Sequence, residues 1–241
     1  MLAAILLFST WTVLGIPGAV IGIPWTLATR NVALLHWLGV SITRAGLWVA
    51  GIRMQVVWEQ PPVRGQQYIF LPNHISNLDP PILYPLLPGH TAVFLKRSLM
   101  RIPVLGYAMG LAKFIPVDRD RRVESAMESV AAARSVLAAG IHVLSFVEGT
   151  RSRDGRLQAF KKGPFYLSME SGAPVVPISI YGTETMMKKG SLKIFPGTAH
   201  VTFHAPLFPG DFASREELMR AAREAIAAGL PEWMRGPAAT A

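Results

Sequence analysis

The first 29 residues of this chain carry no charged side chain, and this feature limits the possible folds more than any other. As one helix, Met1–Thr29 would extend roughly 43 Å, whereas the hydrocarbon core of a bilayer is about 30 Å thick. Pro17 and Pro24 predict that the segment is bent or broken. Its length, and the lack of a basic start and of a clear cleavage site, favour a membrane anchor over a cleaved signal peptide.

A second apolar segment, Asn31–Ala50, carries Trp37 and Trp48 near its ends, where membrane proteins place interfacial aromatic residues. Arg30 separates the two segments and Arg44 lies within the second one. These two charges leave open whether the segments cross the bilayer or dip into one leaflet. We therefore predict an N-terminal pair of membrane-anchoring helices.

We place the boundary of this anchor after residue 52, because short apolar runs alternate with helical patterns from there to residue 241. Arg122–Ala139 is predicted as an amphipathic helix, Pro164–Ser171 as a shorter one, and Ser214 as the cap of a last helix ending at Ala228. The predicted strands are Met54–Trp58, Gln67–Leu71, Thr91–Leu95, Lys113–Val117, His142–Val147, Val175–Tyr181, Ser191–Phe195 and His200–His204. This alternation predicts a single α/β domain with a mostly buried mixed sheet flanked by helices.

The composition limits the classes of molecule that this protein is expected to bind. A net charge of +9 suits an anionic partner, and in the absence of a nucleic-acid-binding motif the apolar N-terminus favours phosphate-bearing lipid over nucleic acid. The chain has no cysteine, which excludes disulfides, thiolate-ligated zinc and a thiol nucleophile. The six histidines are scattered, so no metal site is predicted.

Asn73–Asp79, with the sequence NHISNLD, is the first candidate site. On a continuous helix, His74 and Asp79 would point roughly 140° apart, so they face each other only if the segment turns. A carboxylate on one imidazole nitrogen holds the tautomer that leaves the other nitrogen free to act as a base. Asp79 before Pro80 is also typical of a helix N-cap, and the motif alone favours this simpler interpretation.

Two further motifs bring arginines to strand ends. Ile115–Arg119 places Arg119 just past a predicted strand, where a guanidinium is suited to bind a phosphate, although a solvated charge cluster is the simpler interpretation. Phe146–Ser152, with the sequence FVEGTRS, places Glu148 and Arg151 in a loop that Gly149 allows to turn tightly. An ordinary polar loop remains the alternative here as well.

Taken in order, NHISNLD, IPVDR, FVEGTRS and VVPISI (Val175–Ile180) resemble the four motifs of the glycerolipid acyltransferase family that includes the 1-acylglycerol-3-phosphate acyltransferases. The resemblance covers roughly Tyr68–Gly182. Many members have proline before the glutamate of the third motif, whereas this chain has Val147.

The resemblance implies that His74, held by Asp79, removes the proton from a lysophospholipid hydroxyl, which then attacks an acyl thioester without an acyl-enzyme intermediate. It also implies that the acceptor phosphate is bound at Arg119, Glu148, Gly149, Thr150 and Arg151, with Glu148 orienting Arg151 or another donor. The acyl donor would be acyl-CoA or acyl-carrier protein, and no cofactor is expected. The enzyme would act at a membrane with its active site on the cytoplasmic side, as in the inner membrane of a bacterium.

Three alternatives remain at this stage. The same chemistry could serve glycerol-3-phosphate, lyso-ornithine lipid or another lysophospholipid as acceptor. A non-catalytic lipid-binding membrane protein would keep the fold without needing His74. A metal-dependent hydrolase is disfavoured because His74 and Asp79 have no neighbouring ligands at metal-site spacing.

Overall fold

The computed structural model describes residues 1–117, 124–188 and 190–236. Two helices, α1 (Leu2–Thr29) and α2 (Ala33–Val49), precede a seven-stranded sheet. The strands are β1 (Ile52–Trp58), β2 (Ile69–Pro72), β3 (Thr91–Lys96), β4 (Ile115–Val117), β5 (His142–Leu144), β6 (Val175–Tyr181) and β7 (Gly197–Phe203). The remaining helices are α3 (Asp79–Leu83), α4 (Leu105–Leu111), α5 (Glu124–Ala138), α6 (Gly163–Ser171), α7 (Thr183–Met186) and α8 (Arg215–Ala228).

The strand order across the sheet is β1-β7-β6-β2-β5-β3-β4. Every neighbouring pair is parallel except β6 and β7, which are antiparallel. The central strand β2 is buried along its whole length, as expected for a parallel strand covered on both faces. The prediction of a mixed sheet flanked by helices is therefore confirmed.

Two apolar clusters form the core, and successive residues of β2 belong alternately to one cluster and to the other. Phe70 belongs to the cluster that includes Leu7 of α1 and Leu47 of α2, whereas Ile69 and Leu71 belong to the cluster formed with α5, α6 and α8. Because successive side chains of a strand point to opposite faces, the N-terminal helices cover one face of the sheet and the three later helices cover the other.

The N-terminal segment forms one continuous helix with both prolines inside it, so Pro17 and Pro24 do not break it. A bend at these prolines stays a prediction. A proline removes only one backbone donor, and packing against a neighbouring helix offsets that loss. Here Gly18 and Gly22 bring α1 close to α2, so close that an added Cβ would lie 2.8–2.9 Å from side-chain atoms of α2. Within the described residues, α1 is the one helix long and apolar enough to cross a membrane.

One predicted strand is absent. Ser191–Phe195 has no sheet partner, and the Phe195 N–H donates to the carbonyl of Met186 outside the sheet (2.9 Å). The apolar pattern there arises because Ile194 is buried in the core as part of a loop. The predicted cap of α8 is confirmed, since the Ser214 hydroxyl accepts a hydrogen bond from the Glu217 N–H (3.2 Å).

Candidate active site

The candidate site lies where three neighbouring parallel strands end. His74 comes two residues after β2, Glu148 four residues after β5, and Thr183 two residues after β6. Because parallel strands end at the same edge of a sheet, these three distant parts of the chain meet there.

Asn73 determines where the chain leaves the sheet. Its side chain donates to the carbonyl of Ile180 (2.9 Å) and accepts from the N–H of the same residue (2.8 Å). This buried amide thus continues the pairing of β2 with β6 for one position beyond the end of the strand. The residue before His74 is therefore held in a fixed position at the edge of the sheet.

His74 and Asp79 are in direct contact. The imidazole Nδ1 lies 2.8 Å from Asp79 Oδ2, and the same oxygen accepts the N–H groups of Ile75 (2.7 Å) and Ser76 (2.8 Å). The turn needed to bring the pair together is thus stabilised by the carboxylate itself. The alternative interpretation of Asp79 as a helix N-cap is wrong, because Asp79 is the first residue of α3 and Leu78 occupies the cap position.

The second oxygen of Asp79 contacts the far side of the site. Oδ1 accepts a hydrogen bond from the Thr183 hydroxyl (2.5 Å), and both side chains are completely buried. Three donors, the N–H groups of Ile75 and Ser76 and the Thr183 hydroxyl, thus surround this carboxyl. Because a carboxylate oxygen only accepts hydrogen bonds, its contact with His74 favours the tautomer that carries the proton on Nδ1.

The other ring nitrogen of His74, Nε2, makes no hydrogen bond with the part of the chain that the structure describes. The side chain keeps 11% of its surface exposed. The ring stacks on Phe146, with 3.9 Å between ring centroids and 26° between planes. His74 is thus held on two sides while its basic nitrogen stays available.

Glu148 joins the His74 loop to the loop that follows β5. Its Oε1 accepts the backbone N–H of His74 (2.8 Å) and its Oε2 accepts the backbone N–H of Gln158 (3.0 Å). Burial raises the pKa of this carboxyl from 4.5 to about 7, against the lowering effect of hydrogen bonds from the His74 and Gln158 backbone and from the Gln158 side chain, and the nearby Asp79 raises it further. Glu148 is therefore placed to position the backbone of His74.

The backbone beside Glu148 adds two more links. The Val147 N–H donates to the carbonyl of Pro72 at the end of β2 (3.0 Å), and the Ser152 N–H donates to the carbonyl of His74 (2.8 Å). A proline at position 147 has no N–H to donate, so the departure from the family pattern allows this first hydrogen bond.

The other predicted phosphate-binding residues are placed as follows. Gly149 has a φ of +70°, which favours glycine, and Lys161 lies against it. Thr150 is exposed and Arg151 is partly exposed, and both precede the Ser152 that bonds to His74. Arg119 lies outside the described residues. β4 ends at Val117, two residues earlier, at the same edge of the sheet.

Thr183 and Gln158 were not identified from the sequence. Thr183 follows the fourth motif, but its contact with Asp79 spans 104 residues and depends on β6 lying next to β2. Gln158 donates its backbone N–H to Glu148, and a backbone donor leaves no pattern in the sequence. Among the described residues, no group of three or more histidine, aspartate and glutamate side chains is placed to hold a metal ion.

Comparison with known proteins identifies the class. Residues 53–181, more than half of the chain, match the family model described as Acyltransferase, so this protein belongs to the acyltransferase family. A 1-acyl-sn-glycerol-3-phosphate acyltransferase of Chlamydomonas reinhardtii is 35% identical over 182 residues, which are 75% of this chain and 53% of that protein. The enzyme of the same name from Limnanthes douglasii is 29% identical over 79% of this chain and 66% of its own length.

A solved structure resembles nearly the whole chain. The 1-acyl-sn-glycerophosphate acyltransferase PlsC of Thermotoga maritima superposes with a TM-score of 0.73 at 26% identity, over 95% of this chain and 93% of that one. The chain thus spans only part of the length of the plant and algal relatives but matches this bacterial structure almost end to end.

Proposed function

We propose that this protein transfers an acyl chain from an acyl thioester to the free hydroxyl of 1-acylglycerol-3-phosphate and so forms phosphatidic acid. The observation that carries the proposal is the buried His74–Asp79 pair, with 2.8 Å between Nδ1 and Oδ2 and with Nε2 left available. The relatives named for this activity add support.

In the proposed mechanism, His74 Nε2 removes the proton from the acceptor hydroxyl while Asp79 stabilises the imidazolium that forms. The acceptor oxygen attacks the thioester carbonyl, and the new ester bond forms as the carbon–sulfur bond breaks. The imidazolium then returns its proton to the departing thiolate. No protein nucleophile takes part, which is consistent with a chain that has no cysteine.

We assign the acceptor phosphate to Arg119 and Arg151, with Gly149 and Thr150 shaping the loop between Glu148 and Arg151. Guanidinium groups bind phosphate oxygens in pairs, whereas a carboxylate repels them. The hydrogen bonds of Glu148 to the His74 and Gln158 backbone support a positioning role for this residue.

A lipid acceptor explains why the protein has apolar N-terminal helices, which would hold it at the membrane. Most large apolar side chains of α1 are exposed, which supports insertion of this helix into a bilayer. We propose that the protein works at the cytoplasmic side of a bacterial inner membrane, because acyl-CoA and acyl-carrier protein are available there. The acyl donor is one of these two thioesters.

The test measures thiol release from the donor by the purified protein in detergent, with a thiol-reactive dye. The protein adds no background, because it has no cysteine. We expect release that requires 1-acylglycerol-3-phosphate and that falls by about 10²–10⁴-fold in His74→Ala. The matched control is His200→Ala, since His200 is partly exposed and stacks on Tyr181, with no described hydrogen bond to His74 or Asp79.

Each other outcome has a definite meaning. Release that depends on glycerol-3-phosphate or another lysolipid keeps the chemistry and changes the acceptor. Wild-type release by the folded His74→Ala variant removes His74 as the base. Absence of release with both donors and every acceptor contradicts acyl transfer and supports a lipid-binding protein.

A further inference from the structure

The connection between β3 and β4 exposes an unusual number of large apolar side chains. Five of them are 41–54% exposed within a stretch of nine residues: Leu99, Ile102, Val104, Leu105 and Tyr107. A contiguous apolar patch of this kind on a folded protein marks a surface that another molecule covers. We call residues 96–107 the basic–apolar segment.

The charged residues in this stretch of the sequence are all of one sign. Between Asp79 and Asp118 the chain has four basic residues and no acidic one. Three of the four, Lys96, Arg97 and Arg101, lie in the basic–apolar segment and are exposed. Such a surface complements a layer of negative charge.

The location of the segment points to lipid. It begins where β3 ends, at the edge of the sheet that carries His74. It leads into α4, which packs against α1, the helix with the exposed apolar face. The two apolar surfaces therefore adjoin each other, and the basic–apolar segment begins at the same edge of the sheet as the candidate site.

The backbone presents the apolar side chains in a fixed turn. Val104 has φ +64° and ψ −58°, and the Leu105 N–H donates to the Pro103 carbonyl (2.6 Å), which together define a γ-turn. This conformation is rare for a β-branched residue. Gly106 anchors the turn, because its Cα lies so close to Met100 that a Cβ would be 2.1 Å from the carbonyl oxygen.

We propose that the basic–apolar segment is a second lipid-binding surface, which lies on an anionic phospholipid bilayer beside α1. Its apolar side chains would enter the boundary between headgroups and acyl chains, and Lys96 and Arg101 would contact the phosphates. An acidic carrier protein would satisfy the charges but not the exposed apolar side chains. The inference rests on the proposed function in one respect, because it assumes that the acceptor is a lipid of the membrane.

The experiment uses the absence of cysteine from the chain. Val104→Cys in this 241-residue chain creates a single thiol for an environment-sensitive fluorophore. The labelled protein is reconstituted into vesicles of phosphatidylcholine and phosphatidylglycerol in equal parts. We expect a blue-shifted emission that nitroxide-labelled lipid quenches. The matched control is Val63→Cys, which is exposed and apolar but lies in the loop before β2, at the opposite edge of the sheet, and should remain unquenched.

A second variant tests the charges. Lys96→Gln with Arg101→Gln, on the labelled Val104→Cys background, should shift the ratio of lipid-bound to unbound label by roughly fivefold for each charge removed. The shift should vanish in vesicles of phosphatidylcholine alone.

Two results would overturn the proposal. One is a label at position 104 that nitroxide lipid leaves unquenched. The other is a label that responds to acyl-carrier protein in detergent but not to lipid, which would assign the surface to a protein donor. Since no substrate turns over in these measurements, failure here is distinct from failure of acyl transfer, which thiol release reports.

Discussion

Thr183 completes the set of donors around Asp79 without touching either ring nitrogen of His74. Removing its hydroxyl in Thr183→Val leaves Asp79 Oδ1 without its described partner in a buried site. A lost hydrogen bond to a charged group costs about 1.5–3 kcal/mol, so we expect kcat to fall by roughly 10–100-fold. The Michaelis constants should change little, because Thr183 acts through Asp79.

The control for this prediction is Thr183→Ser, which keeps the hydroxyl and should restore most of the activity. The pH dependence of kcat/KM separates positioning from folding, because a weakened Asp79–His74 contact displaces the acidic limb of the profile, on which a general base has to be deprotonated. Equal activity of the valine and serine variants would show that the hydroxyl is not needed.

The raised pKa of Glu148 predicts that the stability of the folded protein depends on pH. Its pKa is raised in the folded protein to about 7, so between pH 4.5 and about 7 the folded state binds more protons at this carboxyl than the unfolded chain does. Its contribution to stability is therefore largest at low pH and is lost as the pH rises through this range. The loss is of order 3 kcal/mol.

Glu148→Gln removes this titration. Between about pH 5 and about pH 8, the melting temperature of the variant should rise relative to that of the wild type. The change should be roughly 2–4 °C for each kcal/mol of stability that the wild type loses over this range. The glutamine also loses one acceptor for a backbone N–H, which adds an offset that does not depend on pH. A difference that stays constant with pH would show that Glu148 titrates in its normal range.

At the scale of elements, the packing of α1 on α2 depends on a close approach at Gly46. A Cβ on Gly46 would lie 2.2 Å from Nε1 of Trp11, so Gly46→Val forces the two helices apart. Overpacking of this kind costs about 1–3 kcal/mol. We expect a lower melting temperature and faster tryptic cleavage after Arg30, the residue that follows α1.

Gly39→Val is the matched control, because Gly39 lies in the same helix with nothing within 4 Å of an added Cβ. Valine favours a helix over glycine, so this variant should be as stable as the wild type or slightly more stable. Equal effects of the two substitutions would contradict the role of the contact with Trp11.

At the scale of the whole molecule, the N-terminal helices belong to the core. Leu7 of α1 and Leu47 of α2 are buried in the same cluster as Leu78 and Ile82, which flank Asp79. A deletion of residues 1–30 therefore exposes the face of the sheet beneath the catalytic pair, in addition to removing the proposed anchor.

We expect this truncated protein to lose its cooperative thermal transition, as measured by circular dichroism in detergent. A soluble, active protein that melts at the temperature of the full chain would show that residues 31–241 fold independently of α1.

The sequence alone determined the α/β class, most of the strands, the capped last helix and the two motifs that meet at the site. These features depend on local chemistry: period-two apolar runs, capping residues, and turn-forming residues around His74 and Asp79. The order of the four motifs also indicated the family, because the motifs resemble those of known members only in combination.

Only the tertiary structure decided which segments are neighbours. The strand order brings Thr183 to Asp79 and Glu148 to His74, and no local pattern encodes a contact across 104 or 74 residues. The same reason explains two findings at the level of elements. Packing against α2 keeps α1 continuous through two prolines, and burial of Ile194 in a loop produces an apolar pattern without a strand. Local sequence sets the conformations that a segment can adopt, and long-range packing selects among them.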